Sequence, residues 1–176
     1  DVMSAPAVVI STASDEKNEN KWVKKAKEQL MEYGYSNVDI IDIEFEQDKD
    51  LSDYKTIYVS GGNGFRLLSV ARSTNFAQTI MNCINNGGVY VGVSAGSLLL
   101  SPSIQLEAEF EPERIPSGFN DFSGLCLIPT TVMPHYDPNL ELKVTKFENK
   151  YGYKTVRLTN EDIMVYEDMI FKNYLL

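Results

Sequence analysis

Val89-Tyr90-Val91-Gly92-Val93-Ser94-Ala95-Gly96-Ser97-Leu98-Leu99-Leu100 is the stretch from which the rest of the chain is read. Three apolar residues lead into a Gly-x-Ser-x-Gly pentapeptide, Gly92 to Gly96, and a second apolar run follows it. A strand, a tight turn and a helix in that order hold a serine Oγ out at the carboxyl edge of a sheet, and small flanking residues relieve the crowding. A serine hydroxyl is a poor nucleophile near neutral pH until a base takes its proton, and histidine is the side chain best matched to that task. The chain has one histidine, His135. Ser94 and His135 are therefore the candidate nucleophile and base.

Working outward, Ala7-Val8-Val9-Ile10 is an apolar run of strand length, closed by Ser11-Thr12-Ala13-Ser14. Across residues 19–33, Trp22, Val23, Ala26, Leu30 and Tyr33 recur at helical spacing before Gly34 offers a stop. Residues 38–43 read as a second strand and Ile57-Tyr58-Val59 as a third, ending at Ser60-Gly61-Gly62-Asn63. A helix over about 64–85, with a break near Ser73, leads through Asn86-Gly87-Gly88 into the strand before Ser94. Short apolar strands alternating with helices predict an α/β fold, a three-layer sandwich with a mostly parallel sheet. Ligands of such sheets bind at the carboxyl ends of the strands, so the Gly61-Gly62-Asn63 loop and Ser94 are expected to meet.

Beyond Ser101 the pattern loosens through Pro102, Pro112 and Pro116, with Glu107, Glu109, Glu111 and Glu113 between them. This reads as an extended hairpin or surface excursion. Residues 125–133 read as a strand ending at Pro134-His135-Tyr136-Asp137-Pro138, residues 140–151 as a helix, and residues 155–158, 163–166 and 169–174 as closing strands.

At 176 residues, with 43% hydrophobic and 23% charged, the chain fits one domain over 1–176 that buries a core without disulfide or metal. The balance of 16 Lys+Arg against 25 Asp+Glu, a formal net charge of -9, argues against a surface that tracks phosphates, so nucleic acid is not an expected partner. No apolar run reaches the length of a bilayer span, and no membrane partner is expected. Cys83 and Cys126 lie far apart with no ligand spacing around them, which predicts neither a metal site nor a disulfide framework. They read as buried thiols of a reducing, cytoplasmic compartment. There is no signal-peptide pattern, and a start at Asp1 raises the expectation that an N-terminal piece is missing.

Acyl transfer needs backbone N–H groups aimed at the developing oxyanion, and adjacent glycines let main chain approach a substrate closely. The amides of Gly62 and Ala95 are the expected donors, the latter because the residue after an elbow nucleophile contributes its N–H. A group that orients the imidazole is also needed, with Asp137, Asn160, Glu161 and Asp162 as candidates. Asp137 is two residues from His135, where side chains of an extended segment point apart. The turn at 159–162 is better placed.

Gly61-Gly62-Asn63-Gly64-Phe65-Arg66-Leu67-Leu68, Gly92-Val93-Ser94-Ala95-Gly96 with Leu100-Ser101-Pro102 after it, Asp121-Phe122-Ser123-Gly124-Leu125 and Pro134-His135-Tyr136 together resemble peptidase family S51, the family of dipeptidase E and cyanophycinase. The motifs stand in the family's order and spacing over nearly the whole chain. The resemblance implies a fold similar to class I glutamine amidotransferases and a Ser-His-carboxylate peptidase mechanism, with Ser94 as nucleophile, His135 as base, Gly62 and Ala95 as the oxyanion hole, and Gly61 and Asn63 supporting it.

Two departures stand out. The family's acidic third position falls on Asn160, with Glu161 next to it, so either Asn160 or, in a shifted register, Glu161 takes that place. The basic residues that hold a substrate aspartate in dipeptidase E fall where Asp137, Asn139 and Glu141 stand, with Lys143 the one positive charge. The family's first strand, before residues 7–10, is absent. The resemblance thus implies a serine-type dipeptidase acting on dipeptides or short peptides without metal or organic cofactor, as a monomer or homodimer. The alternatives are a catalytically impaired relative that acts as a binding protein and a serine esterase of another fold, although esterases of that kind usually run longer and carry an acid between serine and histidine.

Overall fold

Ala7, Val8, Val9 and Ile10 are all fully buried, as befits a central strand covered on both faces. The computed structural model describes residues 2–167 and 170–175, so Met169 of the last expected strand and the ends of the 1–176 span lie outside the described residues. The chain groups into two compact units, Asp1–Leu99 and Leu100–Leu176.

In the first unit β1 (Ala7–Ile10) leads through α1 (Lys21–Glu32) to β2 (Val38–Ile41), and β3 (Thr56–Val59) leads through α2 (Gly64–Ser73) and α3 (Phe76–Asn85) to β4 (Val89–Gly92) and the short α4 (Ala95–Leu99). The strands pair in parallel in the order β2-β1-β3-β4. From β1 the chain steps to one side of the sheet and from β3 to the other, and right-handed crossovers then put α1 on one face and α2 with α3 on the opposite one. Ala7 and Val9 pack with Val23, Ala26 and Leu30 of α1, while Val8 and Ile10 point to the other side by the two-residue period of a strand. The order of winding reverses between β1 and β3. Their carboxyl ends are therefore where a parallel sheet of this kind leaves a crevice.

Local signals account for the boundaries. Asn20 caps α1 by accepting from the Trp22 N–H at 2.9 Å. The expected break in the 64–85 helix falls at Thr74 and Asn75, where the Thr74 N–H closes α2 on the Val70 carbonyl. The second strand stops at Ile41 rather than at residue 43 because Asp42 leaves the ladder: its carboxylate accepts from Thr12 Oγ1 at 2.8 Å and pairs with Lys17 at 3.0 Å.

In the second unit the elements are α5 (Gln105–Phe110), β5 (Thr131–Met133), α6 (Glu141–Tyr151), β6 (Thr155–Arg157), β7 (Asp162–Glu167) and β8 (Ile170–Leu175). β5 and β6 pair in parallel, with Thr131 opposite Thr155, and β7 and β8 form an antiparallel ribbon. The predicted α/β class, with mostly parallel pairing and helices over the strands, is what forms.

Three expectations are corrected. The acidic stretch after Ser101 is no surface excursion: Gln105–Phe110 is helical, started by the Gln105 N–H on Ser103 Oγ, and it buries Leu106, Ala108 and even Glu107. The strand expected over 125–133 shrinks to Thr131–Met133, because Cys126 turns at φ 53° and the N–H groups of Leu127 and Ile128 both bend back to the Leu100 carbonyl. Cys126 is exposed rather than buried, whereas Cys83 is buried as expected. Among the described residues no helix is long and apolar enough to cross a membrane, and no three His, Cys, Asp or Glu side chains gather as metal ligands.

Candidate active site

Ser94 sits at φ 52°, in the left-handed region. For a residue with a Cβ that conformation costs roughly 1–2 kcal/mol, and it persists where the surroundings over-determine it. Here they do. The Val93 N–H is held by the Val59 carbonyl at 3.0 Å, extending the β3–β4 ladder into the turn. The Ser94 carbonyl accepts from the N–H groups of Ser97 and Leu98 and from Ser97 Oγ at 2.6 Å. The glycines on either side are dictated by packing: a Cβ on Gly96 would stand 2.3 Å from the Val59 carbonyl oxygen, and one on Gly92 would stand 2.6 Å from the Gly96 oxygen. Beneath them Tyr90 donates its hydroxyl to the Gly96 carbonyl at 2.6 Å. Burial pushes the Tyr90 phenol up from its usual range, so it stays a protonated donor.

The loop after β3 lies against this turn, as the topology requires. A Cβ on Gly61 would come within 2.8 Å of the Ser94 Cβ and 3.4 Å of its Oγ. Gly62, at φ 143°, presses on the loop after β1, where a Cβ would meet the Ala13 oxygen at 2.1 Å. The same Ala13 carbonyl accepts from the Asn63 N–H at 2.7 Å. Asn63 then caps α2, its Oδ1 accepting from the Arg66 N–H at 3.0 Å. Among the described residues neither the Gly62 N–H nor the Ala95 N–H donates to another group, so both proposed oxyanion donors are open.

In the second unit His135 follows β5 after Pro134, also in the left-handed region at φ 55°. The Leu158 N–H donates to the Met133 carbonyl and the Tyr136 N–H to the Leu158 carbonyl, so the parallel pairing continues past both strand ends and carries the 159–162 turn to the histidine. His135 Nδ1 and Asn160 Oδ1 are 2.6 Å apart. An amide oxygen only accepts, so this bond puts the ring proton on Nδ1 and leaves Nε2 as the basic nitrogen.

Of the other candidates for this place, the two aspartates are engaged elsewhere. Asp137 Oδ1 accepts from the Asn139 N–H at 2.8 Å and Asp162 Oδ2 from the Thr159 N–H at 2.7 Å. Glu161 donates its N–H to Thr159 Oγ1, and its carboxylate holds no hydrogen bond or ion pair among the described residues. Sequence reasoning missed Tyr90 and Ser97. The one signal for Tyr90 is a phenol placed between two valines in an otherwise aliphatic strand.

A parallel α/β sheet whose β4 leads through a tight turn with a strained serine into a helix, with a glycine loop beside it, has the strand-turn-helix frame of an elbow. The chain belongs to peptidase family S51, whose model matches residues 3–169. It is 31% identical over 131 residues to an uncharacterised peptidase of Pasteurella multocida, covering 72% of this chain and 63% of that one. It is 33% identical over 90 residues to peptidase E of Streptomyces coelicolor, covering 51% and 35%. A 1.5 Å crystal structure of a protein from Listeria monocytogenes EGD-e, assigned as a peptidase E, superposes with a TM-score of 0.82 at 24% identity over 100% of this chain and 88% of that one, which establishes the shared fold. The chain spans 63% and 35% of the length of the two curated relatives.

Proposed function

We propose that the chain carries out serine-type peptidase chemistry on dipeptides or short peptides, with Ser94 as nucleophile, His135 as base and Asn160 as the group that orients the imidazole. The observation that carries this reading is the left-handed serine at φ 52°, where conformational energy is spent on a residue whose hydroxyl the packing does not need. The two open N–H groups of Gly62 and Ala95 support it, as does the His135–Asn160 hydrogen bond.

In the proposed reaction His135 Nε2 takes the Ser94 proton while Oγ attacks the scissile carbonyl carbon. The oxygen that gains charge rests on the N–H groups of Gly62 and Ala95. The tetrahedral intermediate collapses, the C–N bond breaks, and His135 hands its proton to the leaving amine. Water, deprotonated by the same nitrogen, then splits the acyl-enzyme. Asn160 keeps Nδ1 protonated and the ring in place throughout.

Ser94→Ala is expected to lower kcat on a dipeptide panel by at least about 10³-fold while leaving the folded state intact. Undiminished turnover would overturn the reading. A second reading, a binding protein that keeps the scaffold, draws on the neutral Asn160 at the place of an acid. Labelling with a fluorophosphonate probe separates the two: the peptidase labels at Ser94, and the binding protein does not.

A further inference from the structure

We infer that Tyr136, Glu141 and Arg157 form a clamp that holds His135 in its left-handed turn and in register with Asn160, making them positioning residues for the base. What the clamp does for catalysis rests on the function proposed above; that the clamp sets the imidazole is independent of it.

The argument begins at the backbone. His135 has φ 55°, so its turn requires an anchor on each side. Upstream is β5. Downstream, Tyr136 is pinned at both ends: its N–H donates to the Leu158 carbonyl at 2.8 Å, and its hydroxyl donates to Glu141 Oε2 at 2.9 Å.

Glu141 is itself immobilised. Arg157 Nε donates to Glu141 Oε2 at 2.9 Å and Arg157 Nη2 to Oε1 at 2.8 Å, a two-pronged fork whose geometry fixes the carboxylate plane. Thr145 Oγ1 adds a third donor at 3.0 Å. The same guanidinium reaches a second carboxylate of α6, Nη1 donating to Glu148 Oε1 at 2.8 Å and Nη2 to Oε2 at 3.1 Å. Nη1 also donates to the Thr155 carbonyl on its own strand.

Arg157 stands three residues before Asn160 on β6, and Tyr136 stands one residue after His135. One array of hydrogen bonds therefore ties both members of the His135–Asn160 pair to a common helix. Arg157 holds the Glu141 carboxyl well below the usual range, which agrees with a carboxylate saturated with donors. Lysine could not replace the arginine, since a single ammonium cannot make two parallel bonds to each of two carboxylates.

Because His135 is the chain's one histidine, an isotope-labelled full chain gives one set of imidazole signals. In the wild type the Nδ1–H signal is expected downfield, as for a proton donated to Asn160. Tyr136→Phe keeps the ring and removes one bond, so that signal is expected to move upfield and its hydrogen-exchange rate to rise about five- to tenfold, with the rest of the amide spectrum in place. Arg157→Lys is expected to move it in the same direction and further.

On a dipeptide substrate both variants are expected to lower kcat with KM unchanged. A His135 signal that stays put in folded Tyr136→Phe overturns the clamp, and if Arg157→Lys does not fold, Tyr136→Phe alone decides. Ser94→Ala, in contrast, removes the proposed nucleophile and keeps the His135–Asn160 bond, so the Nδ1–H signal is expected to stay downfield, and loss of the peptidase reading and loss of the clamp are told apart.

Discussion

In the proposed mechanism Asn160 is where this chain parts from a Ser-His-acid arrangement. Its amide oxygen, 2.6 Å from Nδ1, selects the tautomer that the proposed base needs but carries no charge to offset the imidazolium of the proposed reaction. Asn160→Asp is therefore expected to raise kcat by roughly tenfold or more, measured on the best dipeptide substrate, whereas Asn160→Ala is expected to lower it on the order of 10²-fold because the ring loses its orientation. A fall in kcat with Asn160→Asp would count against the role given to the amide. Gly62 tests the other half of the site. An added Cβ would meet the Ala13 carbonyl at 2.1 Å in a backbone conformation that L residues avoid, so Gly62→Ala is expected to cost about 2–4 kcal/mol in urea unfolding. Ser94, His135 and the two glycines of the proposed site are named from residue type alone. The choice among Asn160, Glu161, Asp162 and Asp137 is not made that way, because all four are polar residues at turns and only the continued pairing past β5 and β6 decides which side chain reaches the ring.

Elements behave as units with their own tests. The elbow is braced from below by Tyr90, and Tyr90→Phe is expected to leave the Gly96 carbonyl short of a partner at a cost of about 1–3 kcal/mol, read from the urea midpoint. Helix α6 is bound to β6 through two carboxylates that Arg157 holds below their ordinary range, Glu141 down to about 2 against an ordinary 4.5. A depressed folded pKa means stability that is present above the ordinary value and is lost as pH falls through the folded one. The stability gap between wild type and Glu141→Gln is accordingly expected to be widest near neutral pH and to close as pH drops from about 4.5 towards 2 in denaturant titrations. A gap independent of pH would contradict the ion-paired account.

The elements before Ser101 were readable because each apolar run is bounded by a turn signal. The Glu107, Glu109, Glu111, Glu113 series misled because alternating acid and apolar residues imitate a strand, and what makes α5 a helix is burial of Leu106 and Ala108, a tertiary fact.

At the scale of the molecule, the winding order β2-β1-β3-β4 puts the loop after β3 between those after β1 and β4, and that adjacency brings Gly62 against Ala13 and Gly61 against Ser94. The parallel arrangement could be read from the alternation of strands and helices, but the division of contacts into Asp1–Leu99 and Leu100–Leu176 has no marker in composition. Amides of β1 and β3, which lie in fully paired central strands, are expected to exchange with solvent orders of magnitude more slowly than those of β7, which among the described residues pairs with β8 alone, as mass spectrometry after deuterium labelling would register. Equal rates would mean that the four-stranded sheet is not the stable centre of the first unit. The glycines flanking Ser94 carry a consequence for how this lineage can drift. Gly96 is demanded by the closeness of the turn to β3 and Gly92 by its closeness to the Gly96 carbonyl, whether or not a peptide is ever cut, so relatives without hydrolytic activity are expected to keep both letters and let the serine change. The glycine pair is an heirloom of the scaffold, and a genome survey that counts the two glycines alone as a mark of activity will count retired enzymes along with working ones.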